Sequence, residues 1–208
     1  MASRPDVRSR HREQREGTHA RILEASRELL EERPWSDLTV ALIAQRAGLT
    51  RSAFYKHFAD RAALLRTLLE ELSIELESVP GPWQSGEKDP AQLLRDAVRG
   101  LVHTFVEHGR LLRAIADEAT LDAEFAGLYA ELGARLSAGV AARIAADVEA
   151  GRSTIEDPVE VGTAMVWMNE RYLMMRFGRR PLGDPERCAG ALEEVWIRAV
   201  YGKSDAPA

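Results

Sequence analysis

Apolar residues recur along this chain at the three- to four-residue spacing of helices. Nowhere do they alternate with polar residues over a run long enough to suggest a strand. Ile22, Leu23, Ala25 and Leu30 share one early segment, and Val161, Ala164, Met165, Met168, Tyr172 and Met175 share a late one. The punctuation between such segments agrees. Asp89-Pro90, Asp157-Pro158 and Asp184-Pro185 each place a carboxylate that can accept orphan N–H groups ahead of a proline whose φ already suits a first turn. Gln92 and Glu160, three residues after their caps, complete capping boxes, while Gly178 and Gly202 stand where a helix C-terminus uses a left-handed residue. No Asn-Gly or similar hairpin signal occurs. The pattern predicts an all-α protein with nine helices, near 18–32, 39–47, 51–57, 61–78, 90–107, 109–117, 120–150, 158–177 and 185–201. The stretch 80–88, rich in Pro and Gly, reads as the clearest linker, and 151–154 as a second loop.

Composition narrows the class. The 208 residues are 45% hydrophobic and 29% charged, enough for a real core, and no stretch approaches the roughly 18 apolar residues of a membrane span. The start is basic but no apolar run follows it, so it does not read as a secretory signal, and the expected location is the cytoplasm. A single cysteine, Cys188, excludes an internal disulfide and a thiolate metal cluster. The net charge of -5 conceals an uneven distribution: residues 1–66 hold 13 Lys/Arg against 9 Asp/Glu, and the remainder 15 against 24. A basic front on an acidic body suggests that only the front meets a polyanion. Five arginines lie in the first fifteen residues, so 1–17 reads as a basic flexible arm.

The most informative segment is 39–58. Thr39 caps a short helix in which Leu42, Ile43 and Ala47 can face a core; Gly48 gives the freedom a tight turn needs; Thr50 caps a second short helix. The small residues Ala44 and Ala47 allow close approach. Two short helices about such a turn describe a helix-turn-helix. Thr50, Arg51 and Ser52 open the second helix, where side chains meet base edges in a major groove, and Tyr55, Lys56 and His57 can reach phosphates. The amides near Thr39 offer a further phosphate site. An ordinary helical hairpin would explain the punctuation but not the basic-aromatic surface.

Residues 39–65 (TVALIAQRAGLTRSAFYKHFADRAALL) resemble the DNA-binding signature of the TetR family of regulators, and 18–32 resembles that family's first helix. The resemblance implies a DNA-binding domain at 18–66 and a helical effector-binding and dimerisation domain at 67–208. It implies phosphate contacts from Tyr55 and His57, a cap onto the backbone at Thr39, and a phosphate contact from Arg61, where the family usually has lysine. Trp167-Met168-Asn169-Glu170-Arg171 and 195–202 are similar to segments of the family's EthR-like subgroup. From that likeness follow a homodimer through the last two helices, double-stranded operator DNA as partner, and a small lipophilic effector. Asn169 is expected to face the ligand, with Met165, Tyr172, Phe105, Tyr129, Trp167 and Trp196 as further candidates, and Glu170 and Arg171 as structural ion pairs.

Enzymatic signatures are missing: no Gly-rich phosphate loop, nucleophile elbow or His-Glu-x-x-His occurs, and no cofactor, catalytic residue or metal ligand is expected. His103 and Glu107 share a helical face with His108 nearby, but two histidines five apart do not line up as ligands on one helix and read as a satisfied or exposed pair. Cys188 reads as a structural thiol. The alternative to a regulator is an all-α small-molecule carrier with a vestigial helix-turn-helix; Arg51, Tyr55, Lys56 and Arg61, which packing does not need, argue against it.

Overall fold

A computed structural model of the chain describes residues 7–79, 83 and 89–202. The described residues form helices and turns and no strand. The eight helices are α1 (Val7–Glu32), α2 (Val40–Arg46), α3 (Arg51–Tyr55), α4 (Arg61–Ser78), α5 (Pro90–Ala119), α6 (Ala123–Glu149), α7 (Pro158–Phe177) and α8 (Pro185–Tyr201), with one 3-10 turn at Trp35–Asp37. Contacts divide the chain into two compact units, Met1–Leu68 and Leu69–Ala208. None of the helices is long and apolar enough to cross a membrane.

In the first unit α1 packs on α2 and α2 on α3. Ile22, Leu29, Leu38, Ile43, Phe54, Leu64 and Leu65 are wholly buried there. Each such side chain is worth roughly 1.5–3 kcal/mol of transfer free energy, which holds an α2 of 7 residues and an α3 of 5 that could not persist alone. In the second unit α6 and α7 form the most extensive pairing, and α5 packs on α6, α7 and α8. The three Asp-Pro starts behave as expected: Asp89 accepts from the N–H of Ala91, Asp157 from those of Val159 and Glu160, and Asp184 from that of Arg187. Asp122, not singled out in the sequence, caps α6 in the same way through Phe125 N–H, so that helix starts at Ala123 rather than near 120.

Several expectations are corrected. Residues 7–17, expected in a flexible arm, belong to α1, because the Arg, Glu and Gln between Val7 and Gly17 are good helix formers with no proline among them; residues 1–6 lie outside the described residues. The helices expected at 90–107 and 109–117 are one, which lowers the count among the described residues from nine to eight. Gly109 does not break α5; it lets α5 touch α7, since a Cβ there would lie 2.7 Å from the carbonyl oxygen of Phe177. Gly178 ends α7 in right-handed geometry at φ -71°, whereas Gly202 (φ +76°) is left-handed. Gln92 does not close a capping box; its amide donates to Asp96 at 3.0 Å. Of the expected linker 80–88 only Trp83 is described, and it is buried.

Gly109→Ala gains about 1 kcal/mol in helix propensity but forces a methyl into the backbone of Phe177, a conflict of about 1–3 kcal/mol. The expected outcome in urea denaturation is a net loss of up to about 2 kcal/mol; a gain would mean that α5 and α7 part freely.

Candidate functional site

Two regions bring the expected residues together, one in each unit. In the first, Thr39 Oγ1 accepts from Leu42 N–H at 3.2 Å and Thr50 Oγ1 from Ala53 N–H at 3.1 Å, so both threonines cap their helices. Between them Gly48 takes φ +66°, a region that L side chains avoid. Arg21 on α1 closes the turn by donating to the carbonyls of Ala47 and Gly48, the orphan acceptors at the end of α2. This fixes α3 against α2. Phe54 and Phe58 are sunk into the core while Arg51, Ser52, Tyr55 and Lys56 stand outside; Tyr55 is 50% exposed, its ring meeting Phe54 in a T-shaped contact at 5.6 Å.

His57 is half-buried, with its ring 6.2 Å from that of His19, which stacks on Phe58 at 4.7 Å. Burial, reinforced by the positive potential of His19, Arg15 and Lys56, lowers its pKa below the ordinary histidine value. Its imidazole is therefore neutral at pH 7 and can donate one N–H.

Two arginines of this unit are already engaged. Arg46 pairs with Glu32 at 2.8 Å and Glu28 at 3.3 Å on α1. Arg61 donates to the carbonyls of Trp35 (3.1 Å) and Leu38, and its guanidinium lies 5.0 Å from the Trp35 ring centre. It anchors the first turn of α4 to the 3-10 turn, a task that a lysine at this position would perform with fewer donors.

The second region is a cavity of about 120 Å3 inside the second unit, lined almost wholly by apolar groups from α4 to α8. Of the expected residues Phe105, Tyr129, Trp167, Asn169 and Trp196 line it; Met165 and Tyr172 do not. Helix geometry gives the reason. The face of α7 that meets the cavity is centred on Val166 and Glu170, Asn169 stands at its edge, and Met165 and Tyr172 lie about 40° and 60° beyond that edge. Tyr172 instead neighbours the Cys188 thiol, and that interaction, with burial, raises its pKa.

The few polar groups of the cavity are fixed by donor chemistry. The indole N–H of Trp196 can only donate, and it does so to Asn169 Oδ1 at 3.0 Å, which leaves the amide NH2 of Asn169 as the free end. Glu170, expected in a structural ion pair, lines the cavity and accepts from the Tyr129 hydroxyl at 2.6 Å. Burial and that carboxylate push the Tyr129 phenol far above its ordinary range, so it remains a donor. Trp167 makes a T-shaped contact with Tyr129 and packs on Gly133, where a Cβ would sit 2.6 Å from its ring.

Sequence reasoning missed Trp83, Glu170 and most of the aliphatic wall, including Leu76, Val98, Leu101 and Val140. Trp83 was the one with a signal: a lone tryptophan in a Pro- and Gly-rich stretch has little reason to be there unless it is buried. Its indole donates to the Tyr201 hydroxyl at 3.1 Å and packs edge-on against Trp196 at 5.9 Å.

Residues 22–68 match the family described as "Bacterial regulatory proteins, tetR family". Residues 94–202, just over half the chain, match "Transcriptional regulator EthR, C-terminal domain". The HTH-type transcriptional regulator EthR of Mycobacterium tuberculosis strain H37Rv is 29% identical over 210 residues, covering 98% of this chain and 96% of the relative. EthR of Mycolicibacterium smegmatis is 27% identical, covering 88% and 86%. Among solved structures, the TetR family transcriptional regulator PfmR of Thermus thermophilus superposes with a TM-score of 0.72 at 21% identity, covering 86% of this chain and 98% of the other. NalD of Pseudomonas aeruginosa, described as the secondary repressor of the MexAB-OprM efflux pump, does so with 0.71 at 22%, covering 92% and 100%.

Arg61→Ala removes two charge-assisted bonds and a ring contact. The expected cost is about 2–3 kcal/mol of stability, read by urea denaturation, with Arg61→Lys recovering only part. Parent-like stability of Arg61→Ala would show that the anchor is dispensable.

Proposed function

The chain belongs to the TetR family of DNA-binding transcriptional regulators, a family without enzymatic activity, and carries the C-terminal domain of its EthR group. On that premise we propose that it is a cytoplasmic homodimeric repressor, released from a palindromic operator when a small lipophilic molecule enters the cavity of the second unit. The observation that carries the DNA reading is the outward row Arg51, Ser52, Tyr55 and Lys56 on an α3 held rigid by two threonine caps and the Arg21 clamp. Arg51 and Ser52, at the N-terminal end of α3, read base edges; Tyr55, Lys56 and His57 fix the register on phosphates. Arg61 contributes through its anchor, by setting the start of α4.

Support for the dimer comes from the outer face of α7 and α8. Met165, Leu192, Trp196 and Val200 are consumed by the chain's own core, yet Ala164, Met175 (71% exposed), Val195 (43%) and Ala199 are left to solvent. A two-fold pairing of these helices buries them and implies an operator of two inverted half-sites. Support for the effector comes from the cavity: an apolar wall with the Asn169 amide and Glu170 carboxylate as its polar groups suits a lipophilic guest bearing one hydrogen-bonding function.

The decisive experiment is selection of bound sequences from a random duplex library by the purified chain at moderate salt. One inverted repeat should be enriched. Sequence-blind, salt-sensitive binding would overturn the operator reading. On the selected duplex, Tyr55→Ala combined with Lys56→Ala should remove at least two phosphate contacts. The expected outcome is an affinity lowered about tenfold or more and a log–log salt slope smaller by about one to two, with the fold unchanged.

The pH dependence has a definite sign. The free-state pKa of His57 is lowered, and a phosphate beside it favours the imidazolium, so binding takes up a proton. Affinity should therefore rise as the pH falls from about 7.5 to about 6. His57→Gln should flatten this component, and a rise of equal size in that variant would remove His57 from the phosphate set.

A further inference from the structure

The sequence presents His103, Glu107 and His108 on one helix, where the two histidines do not line up as ligands, and the fold adds a fourth group. Glu75, near the C-terminal end of α4, approaches α5 so that its Oε2 lies 3.2 Å from His108 Nε2. Ligand atoms of Glu75, Glu107 and His108 all fall within 4.8 Å of one another. We infer that Glu75, Glu107 and His108 form a binding site for a divalent transition cation, zinc by preference, which joins α4 to α5.

Distance, charge, donor type and support each bear on this. Zinc bonds histidine nitrogen and carboxylate oxygen at about 2.0–2.2 Å, so two ligands of one tetrahedral ion stand about 3.4 Å apart. The Glu75–His108 pair already has that separation, and Glu107 needs only a rotamer adjustment on a half-exposed side chain to close the third edge. Two carboxylates bring a charge that the dication neutralises, so the assembled site is neutral. A mixed set with an imidazole favours zinc over magnesium or calcium, which take oxygen alone. His103 supplies the outer support: its Nε2 lies 3.3 Å from Glu107 Oε1, so it can orient the carboxylate as second-layer partners of metal ligands do. Three protein ligands leave the fourth position for water. The site uses neither the cavity residues nor the α3 surface, so it stands or falls independently of the operator and effector readings.

The test is titration of the full, tag-free chain with zinc chloride by isothermal calorimetry. One zinc per chain is expected, with affinity reduced at least about tenfold in His108→Ala and in Glu75→Gln, and less in His103→Ala. Zinc should raise the melting temperature of the parent and leave that of His108→Ala unmoved, since only a ligand of the native state stabilises it. Should a variant fail to fold, as judged by circular dichroism, Glu107→Gln replaces it in the same comparison. Absence of zinc uptake by the parent up to millimolar free metal would overturn the proposal, and so would undiminished binding in folded His108→Ala and Glu75→Gln.

Discussion

The second unit depends on keeping one buried carboxylate ionised and paired. Asp147 has no exposed surface, and an isolated charge in that position would be intolerable. Arg143, one turn earlier on α6 and itself buried, binds it with two N–H groups at 3.0 and 2.9 Å. Arg152 donates from the following loop at 2.7 Å, and the Tyr201 hydroxyl from the last turn of α8 at 2.8 Å. Burial by itself would raise the Asp147 pKa; the bonds from Tyr201, Arg143 and Arg152 outweigh it and hold the group below its ordinary value. One carboxylate thus ties the end of α6, the turn after it and the end of α8. The same set reaches the cavity, because Tyr201 also receives the Trp83 indole and Arg143 lies 5.7 Å from its ring. Removing one member of such a set leaves the buried Asp147 or Arg143 with fewer partners and no solvent to replace them, which is why it acts as a unit.

What could be read in the sequence was whatever local chemistry decides. Thr39, Gly48 and Thr50 cap and turn because neighbouring amides and carbonyls need partners, whatever the rest of the chain does. The Asp-Pro starts and the bounds of the helices at 61–78, 158–177 and 185–201 follow from the same cause. Gly109 misled because glycine has two local meanings, a break or a close contact, and only the carbonyl of Phe177 on another helix chooses between them.

Tertiary neighbours decided the rest. Arg61 is a basic residue at the start of a helix by sequence, and the carbonyls of Trp35 and Leu38 give it an anchoring role that no local pattern announces. For the cavity, helical spacing told which residues share a face but not which neighbour that face meets. Asn169 sits at the cavity edge, while Tyr172, three residues on, turns to Cys188. Glu170 reads from sequence as a member of a structural ion pair, and the Tyr129 hydroxyl is the partner that it finds in the cavity wall. Trp83 lies far in sequence from Tyr201, its hydrogen-bond partner.

The volume of the cavity bears on how an effector could act. At about 120 Å3 it is smaller than a void that holds benzene, about 150 Å3, and well below the roughly 300 Å3 at which drug-sized ligands are accommodated. A lipophilic effector of ordinary size must therefore displace wall. Two indoles of that wall are Trp83, tethered through Tyr201 to Asp147, and Trp167, seated on Gly133. Leu76 of α4 belongs to the same wall. The work of opening is what gives a ligand differential affinity for two states, and without that difference no binding strength could shift the population. A tightly packed cavity is in this sense better suited to a switch than a preformed one, which would accept its guest in either state and report nothing.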